Sequence, residues 1–307
     1  MSSIVSTSTS AFFERSTQGI GALRKRAEDL QDQLGSGSKL ARSSDDPVAA
    51  SRLRVLSRAD SLSDIDRANA NRATADLTLA DSALGSLATY IARVKEIALI
   101  AANGTISPAQ RASLGTELAQ IRGNILSVAN SRDSGGHALF GGEAAGDAYT
   151  LDGSGNALYV GTASTGDLPI SEGQTVSRGV TGPEFLSFDV GGGSTDLMAV
   201  VKSLTDALQG GSADPQGDAR NALTALDAGL EKVTTAQTVV GARLSWIDLT
   251  AERRTELSEL RAGEQETIGA PDIGTTIDRL QNVMLVLDAS QASFTKLANL
   301  SLFNRLG

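Results

Sequence analysis

The sequence contains no cysteine, which rules out a disulfide framework and any thiolate metal site. Aromatic residues are scarce, at 7 Phe, 3 Tyr and 1 Trp. Burial must therefore rest on Ala, Leu, Ile and Val, as in helical bundles rather than aromatic-lined pockets. There is one histidine, His137, within the turn-rich stretch DSGGHALFGG. With no nucleophile beside it, it reads as a loop residue and not as a catalyst. Cationic excess is also missing, and a net charge of -9 opposes a phosphate-binding surface. The local RKR at residues 24–26 is followed at once by RAEDLQD, the pattern of a solvated helix face. No run approaches the ~20 apolar residues of a membrane span. The opening MSSIVSTSTSAFFERS has neither an early positive cluster nor the apolar core of a secretory signal peptide. These absences lead us to expect no enzyme, no cofactor, no metal, and no nucleic-acid or membrane partner. Export, if it occurs, should proceed without a cleaved signal peptide.

What the sequence has is helical periodicity. Phe13, Ser16, Ile20, Leu23, Ala27, Leu30 and Leu34 alternate in steps of three and four, the repeat of a coiled-coil seam, and GSGS at residues 35–38 ends it. SSDDPVAASRL, residues 43–53, sets two carboxylates before a proline. A catalytic or metal pair would need a third ligand or a base, and none is near. A residue preceding proline is steered away from helical geometry. Asp46 therefore reads as the N-cap, Pro47 as the first helical residue, and Asp45 as a charge near the positive helix end. That helix should run to Asn103, roughly 80 Å at 1.5 Å per residue. Its later half carries a seam at Leu77, Ala80, Leu84, Leu87, Ile91, Val94, Ala98 and Ala101. After TISPAQ, with Ser107 as cap and Pro108 at the first position, the spacing returns at Leu114, Leu118, Ile121, Ile125 and Val128, which predicts an antiparallel hairpin. GSGSK at residues 35–39 lacks the spacing of a phosphate loop.

From residue 134 to about 195 glycine becomes frequent, and the runs ALYV, QTVS and FLSFDV, at 157–160, 174–177 and 185–190, read as strands of a hairpin-rich insert. Helical spacing resumes in TDLMAVVKSLTDALQ and, after Gly210-Gly211, continues through Leu223, Leu226, Leu230, Val233, Gln237, Val240, Leu244, Ile247 and Ala251. A last seam, Ile273, Ile277, Leu280, Met284, Leu287, Gln291 and Phe294, leads into LANLSLFNRLG with Leu302 and Phe303. The fold class expected is mainly α, an elongated antiparallel helical bundle or coiled coil with a small inserted β domain. Its parts are 1–42, an N-terminal assembly segment; 43–133, a long helical hairpin; 134–195, the Gly-rich insert; 196–268, the second half of the rod; and 269–307, a C-terminal assembly segment. The terminal seams cannot be buried by a single helix alone and need each other or neighbouring subunits.

Five stretches in order, LQDQLGSGSKLARSSDDPVAASRL, ANGTISPAQRASLGTELAQI, ALFGG, VGARL and LANLSLFNRL, resemble the bacterial flagellin superfamily. SDDPVAA, LFGG before the insert, and the ending LSLFN resemble its hook–filament junction members more than its filament subunits. Two departures are Gly274-Thr275-Thr276, where an acidic, Ala-rich stretch is usual, and Ala138, where an aromatic is common. The resemblance implies an extracellular flagellar protein exported through a type III apparatus, forming a ring of identical subunits between the first hook-associated protein and flagellin, with an export chaperone as a further partner. It also implies terminal helices that pair on assembly, through Phe13, Ile20, Leu23, Leu30 and Leu34 on one side. Ile277, Leu280, Met284, Leu287, Phe294, Leu302 and Phe303 supply the other side. Two alternatives stay open: flagellin itself, and a coiled-coil adhesin or secretion-tip protein.

Overall fold

A computed structural model of the chain describes the backbone of residues 2–306 and the side chains of residues 11–297. It contains α1 (Ser2–Ser36), α2 (Pro47–Ala102), α3 (Pro108–Ala129), β1 (Tyr149–Leu151), β2 (Ala157–Tyr159), β3 (Asp167–Ser171), β4 (Gln174–Ser177), α4 (Gly182–Leu186), β5 (Ser187–Val190), β6 (Gly193–Asp196), α5 (Leu197–Asp206), α6 (Pro215–Gly269) and α7 (Ile273–Leu306). A π-helical turn, Ala207–Gly211, follows α5. The chain divides into two compact units, residues 1–61 with 257–307, and residues 62–256. The division falls inside α2 and α6 and not at a connector.

In the 62–256 unit, the seam read from the sequence lies in the core. Leu77, Ala80, Leu84, Leu87, Ile91, Val94, Ala98 and Ala101 of α2 are fully buried beside Leu118 and Ile125 of α3 and Leu226, Val233 and Val240 of α6. Charge pairs register the helices outside this core. Arg93 Nε donates to Glu117 at 2.8 Å across the α2–α3 hairpin, and Lys95 reaches Asp227 on α6. Ser107 and Gln110 form a reciprocal capping box with Pro108 at the first position, which fixes where α3 begins.

The insert consists of three separate two-stranded antiparallel hairpins, β1–β2, β3–β4 and β5–β6. ALYV and QTVS give strands β2 and β4. FLSFDV divides: Phe185 and Leu186 close the short helix α4, and only Ser187–Val190 is strand. The cause is local, because Thr181 and Glu184 form a capping pair ahead of Phe185, with the Glu184 carboxylate accepting from the Thr181 N–H and hydroxyl. Both aromatic rings end in the core, where Phe140 and Phe185 meet edge to face at 4.8 Å. ALFGG thus has a packing role. Ala138, Leu139 and Phe140 are buried, and Gly142 has a φ of 67°, where a Cβ would meet the Thr162 hydroxyl and the Ser164 carbonyl.

An isolated two-stranded hairpin is marginal by itself, and β3–β4 is tied to the long helices by side chains. Asn69 Nδ2 donates to the Pro169 carbonyl at 3.0 Å, and Arg254 Nη1 to the Ile170 carbonyl at 2.7 Å. Arg243 reaches the Gly179 carbonyl, and Arg178 pairs with Asp76 at 3.2 Å. Burial lowers the pKa of Arg254, although its guanidinium still serves as a donor. Ile170 and Val176 supply the apolar anchors.

Candidate assembly interface

The residues assigned to assembly gather in the unit of residues 1–61 and 257–307. From Phe13 to Leu34 α1 follows the 3.5-residue seam, and every member read from the sequence, Phe13, Ser16, Ile20, Leu23, Ala27, Leu30 and Leu34, is buried or half-buried. α7 packs against it, with the Phe13 and Phe294 rings edge to face at 5.4 Å. The two termini therefore supply each other's partner within one chain.

On α7 the buried line runs through Thr276, Leu280, Val283, Leu287, Ser290 and Phe294. Ile277 and Met284 stand on its flank, each 40% exposed, while Leu287 is 7% exposed. Apolar spacing alone points to Ile277 and Met284, because Thr276 and Ser290 are polar although they are more buried. Ile273, Leu285, Val286 and Leu297 are also exposed, and on α1 so is Phe12. A single helix pair thus leaves an apolar fringe uncovered. A groove of about 510 Å³ runs between the helices, walled by Phe12, Ile20, Leu23, Phe294 and Leu297. The side chains of Leu302 and Phe303 lie outside the described residues.

The start of α2 and the end of α6 form the other pair of this unit. Asp46 Oδ1 accepts the Ala49 N–H at 3.0 Å, with Pro47 at the first helical position. Asp45 Oδ2 turns back to accept the Arg42 N–H at 2.8 Å, closing the connector from α1. The Lys39 N–H then donates to the Gly269 carbonyl at 2.7 Å, tying that connector to the end of α6. Arg52 grips Glu264 with two hydrogen bonds of 2.6 and 2.8 Å. Asp60 accepts from Arg261 Nε at 2.7 Å and from Gln265 at 2.6 Å. The links of Lys39 to Gly269, Arg52 to Glu264, and Asp60 to Arg261 and Gln265 were not legible as pairs, because each spans some two hundred positions of sequence.

The Arg261 hydrogen bond holds the Asp60 carboxyl below its usual range. Its folded pKa lies below the unfolded one, so its stabilising contribution is present at neutral pH and is lost as pH falls through the folded value. The pair is partly solvated and contributes roughly 1 kcal/mol or less. Asp60→Asn is expected to flatten the acid-side fall in stability of the full chain, measured as thermal midpoint against pH between neutrality and the carboxylate range. An unchanged acid slope would remove this pair from the account.

In the 62–256 unit, His137 sits in an exposed loop with Nδ1 3.6 Å from Asp133 Oδ1. Asp133 itself caps that loop through the N–H groups of Gly135 and His137, at 2.8 and 2.9 Å. Although burial pushes the Asp133 carboxyl up, these bonds outweigh it and hold it below the usual range. Among the described residues no group of three His, Cys, Asp or Glu is arranged to hold a metal.

Comparison with known proteins follows the same lines. Residues 6–145 match the bacterial flagellin N-terminal helical region. Flagellar hook-associated protein 3 of Escherichia coli strain K12 is 27% identical over 96% of this chain and 98% of its own. The Salmonella typhimurium protein of the same name is 35% identical over 44% of this chain and 43% of its own. A solved structure from Vibrio parahaemolyticus, described as a flagellar hook-associated protein, superposes with a TM-score of 0.66 at 26% identity, covering 73% of this chain and 99% of that one. With its long helices, hairpin insert and paired termini, the chain is similar over residues 6–145 to the bacterial flagellin N-terminal helical region and over nearly its whole length to flagellar hook-associated protein 3.

Proposed function

We propose that this chain is a structural subunit of the bacterial flagellum that joins the hook, through the first hook-associated protein, to the flagellin filament. It does so by polymerising through its paired terminal helices into a ring of identical subunits. The observation that carries this reading is the α1–α7 pair, whose seam is closed within the chain while an apolar fringe on α7 stays exposed. Burying about eight such side chains at roughly 1.5 to 3 kcal/mol each would offset much of the ordering entropy of two long helices. An export chaperone would cover the same fringe before assembly. Full-length similarity to hook-associated protein 3 supports the junction position over the filament.

Deleting the gene is expected to leave hooks in place and filaments unattached, with flagellin released into the medium. Normal filaments in that strain would end the proposal. The flagellin reading draws on the match of residues 6–145. It predicts that this chain is abundant along the filament, which filament composition measures directly.

A further inference from the structure

The chain contains a single Asn-Gly step, Asn103-Gly104, and it stands in the connector between α2 and α3. Asn103, Gly104 and Thr105 are all exposed. The Asn103 N–H donates to the Ile100 carbonyl at 3.1 Å and closes the end of α2. Among the described residues, neither the Gly104 N–H nor the Asn103 side-chain nitrogen makes a hydrogen bond. Thr105 Oγ1 donates to Asn103 Oδ1 at 3.2 Å. An unengaged backbone amide thus follows a side-chain carbonyl whose oxygen is already met by a hydroxyl donor. Nucleophile, electrophile and polarising group stand side by side.

Other asparagines lack one of these parts. Asn69, Asn71, Asn124, Asn221 and Asn282 lie inside helices, where the next N–H is committed to a carbonyl four residues back. Asn130 is held on both sides, its amide donating to the Tyr149 carbonyl and accepting the Tyr149 N–H, and the following Ser131 N–H donates to Val128. The corresponding aspartate step, Asp152-Gly153, is closed differently. Asp152 Oδ1 accepts the Ser154 and Asn156 N–H groups, both at 2.8 Å, and the hydrogen bonds from Asn156 hold this carboxyl below its usual range. It stays an ionised carboxylate, which is a poor acyl electrophile.

We infer that Asn103 is a site of self-modification, converting to aspartate and isoaspartate with Thr105 as the catalytic group. The Gly104 nitrogen attacks Asn103 Cγ and forms a C–N bond, and the negative charge gathered on Oδ1 is met by the Thr105 hydroxyl. Collapse breaks the Cγ–Nδ2 bond, and the proton lost from the Gly104 nitrogen leaves with the amino group as ammonia. Water then opens the cyclic imide. Opening at the side-chain carbonyl gives aspartate, and opening at the main-chain carbonyl gives isoaspartate. Either product places a new negative charge at the carbonyl end of α2, where the helix dipole opposes it. The isoaspartyl form also adds a methylene to the backbone of the connector. A subunit thereby acquires a chemical record of its age at this turn, independently of the assembly role proposed above.

To test this, the full chain is incubated at neutral pH, sampled over weeks and digested with trypsin, and the peptide of residues 96–111 is followed by mass and chromatography. It is expected to give way to two peptides of equal mass, each heavier by one mass unit, with the isoaspartyl form in excess. Thr105→Ala should slow the conversion about three- to tenfold, the worth of one hydrogen bond, and Thr105→Ser should keep the rate. Gly104→Ala should slow it about tenfold or more by shielding the nitrogen. The added Cβ would meet the Gln216 side chain at an ordinary 3.5 Å, so circular dichroism should match that of the unaltered chain. An unchanged peptide, conversion of Asp152 or the helical asparagines as fast as that of Asn103, or equal rates in Thr105→Ala and the unaltered chain would overturn the inference.

Discussion

Replacing Leu287 with glutamate is expected to part α7 from α1 and abolish assembly while residues 62–256 remain folded. Leu287 is 7% exposed, the most buried large side chain among the described residues of α7. Its removal from the seam forfeits roughly 1.5 to 3 kcal/mol of apolar burial. The new carboxylate must either be desolvated, at a further cost of several kcal/mol, or force the helices apart so that water reaches it. Separation is the cheaper outcome, because each helix of the pair is already half solvated. Among the described residues neither helix supplies a side chain to the buried core of residues 62–256, which should therefore melt on its own contacts. Circular dichroism should show partial loss of helix and an unchanged main transition, and sedimentation should show monomer. Leu23→Glu should act in the same direction with a smaller loss, since Leu23 is only half-buried. Collapse of the whole fold, or undiminished assembly, would contradict the separation of roles.

The second large effect belongs to the other unit. Phe140→Ala is expected to destabilise residues 62–256 by about 3–5 kcal/mol, the usual cost of emptying a buried phenylalanine site. Phe140 is fully buried, and its ring meets Phe185 at 4.8 Å. Its carbonyl accepts from the Gly182 N–H at 3.0 Å and the Tyr159 hydroxyl at 3.2 Å, so its position joins the loop after α3, the second strand of β1–β2, and the start of α4. The site cannot collapse without moving all three. For a unit of this size the thermal midpoint should fall by roughly 6–20 °C. Because the terminal pair does not draw on this core, a loss of secretion or assembly in this variant should track the melting temperature. Phe140→Leu, which keeps most of the volume, should recover most of the stability; an equal loss in both would place the defect elsewhere.

These two sites differ in how readable they are. The α1 seam is visible in the sequence because seven residues repeat in strict steps and their burial follows. On α7 the same method selects Ile277 and Met284, yet Thr276 and Ser290 are more buried. Periodicity finds large apolar side chains and passes over small polar ones that are covered. Helix limits were legible at Pro47 and Pro108, where proline and a capping residue coincide. The strand run at 185–190 was not, because a cap formed by Thr181 and Glu184 outweighs the β-preference of Phe185. Least visible were the arginines that hold the insert. Arg178, Arg243 and Arg254 look like ordinary surface cations in the sequence, and their partners lie far away along the chain. The same holds for the candidate site: its apolar seam could be read, but its ion pairs between α2 and α6 could not.

The three hairpins of the insert share no strand and no ladder. Because no register passes from one to the next, the turn of any one can lengthen without shifting the others. The tip at Glu172-Gly173, exposed and already in a glycine turn, lies beyond the last residue that Arg254 holds. A sequence grafted there would alter what the surface displays and leave the helices beneath it in place, so the face of this protein can diversify while its scaffold stays constant.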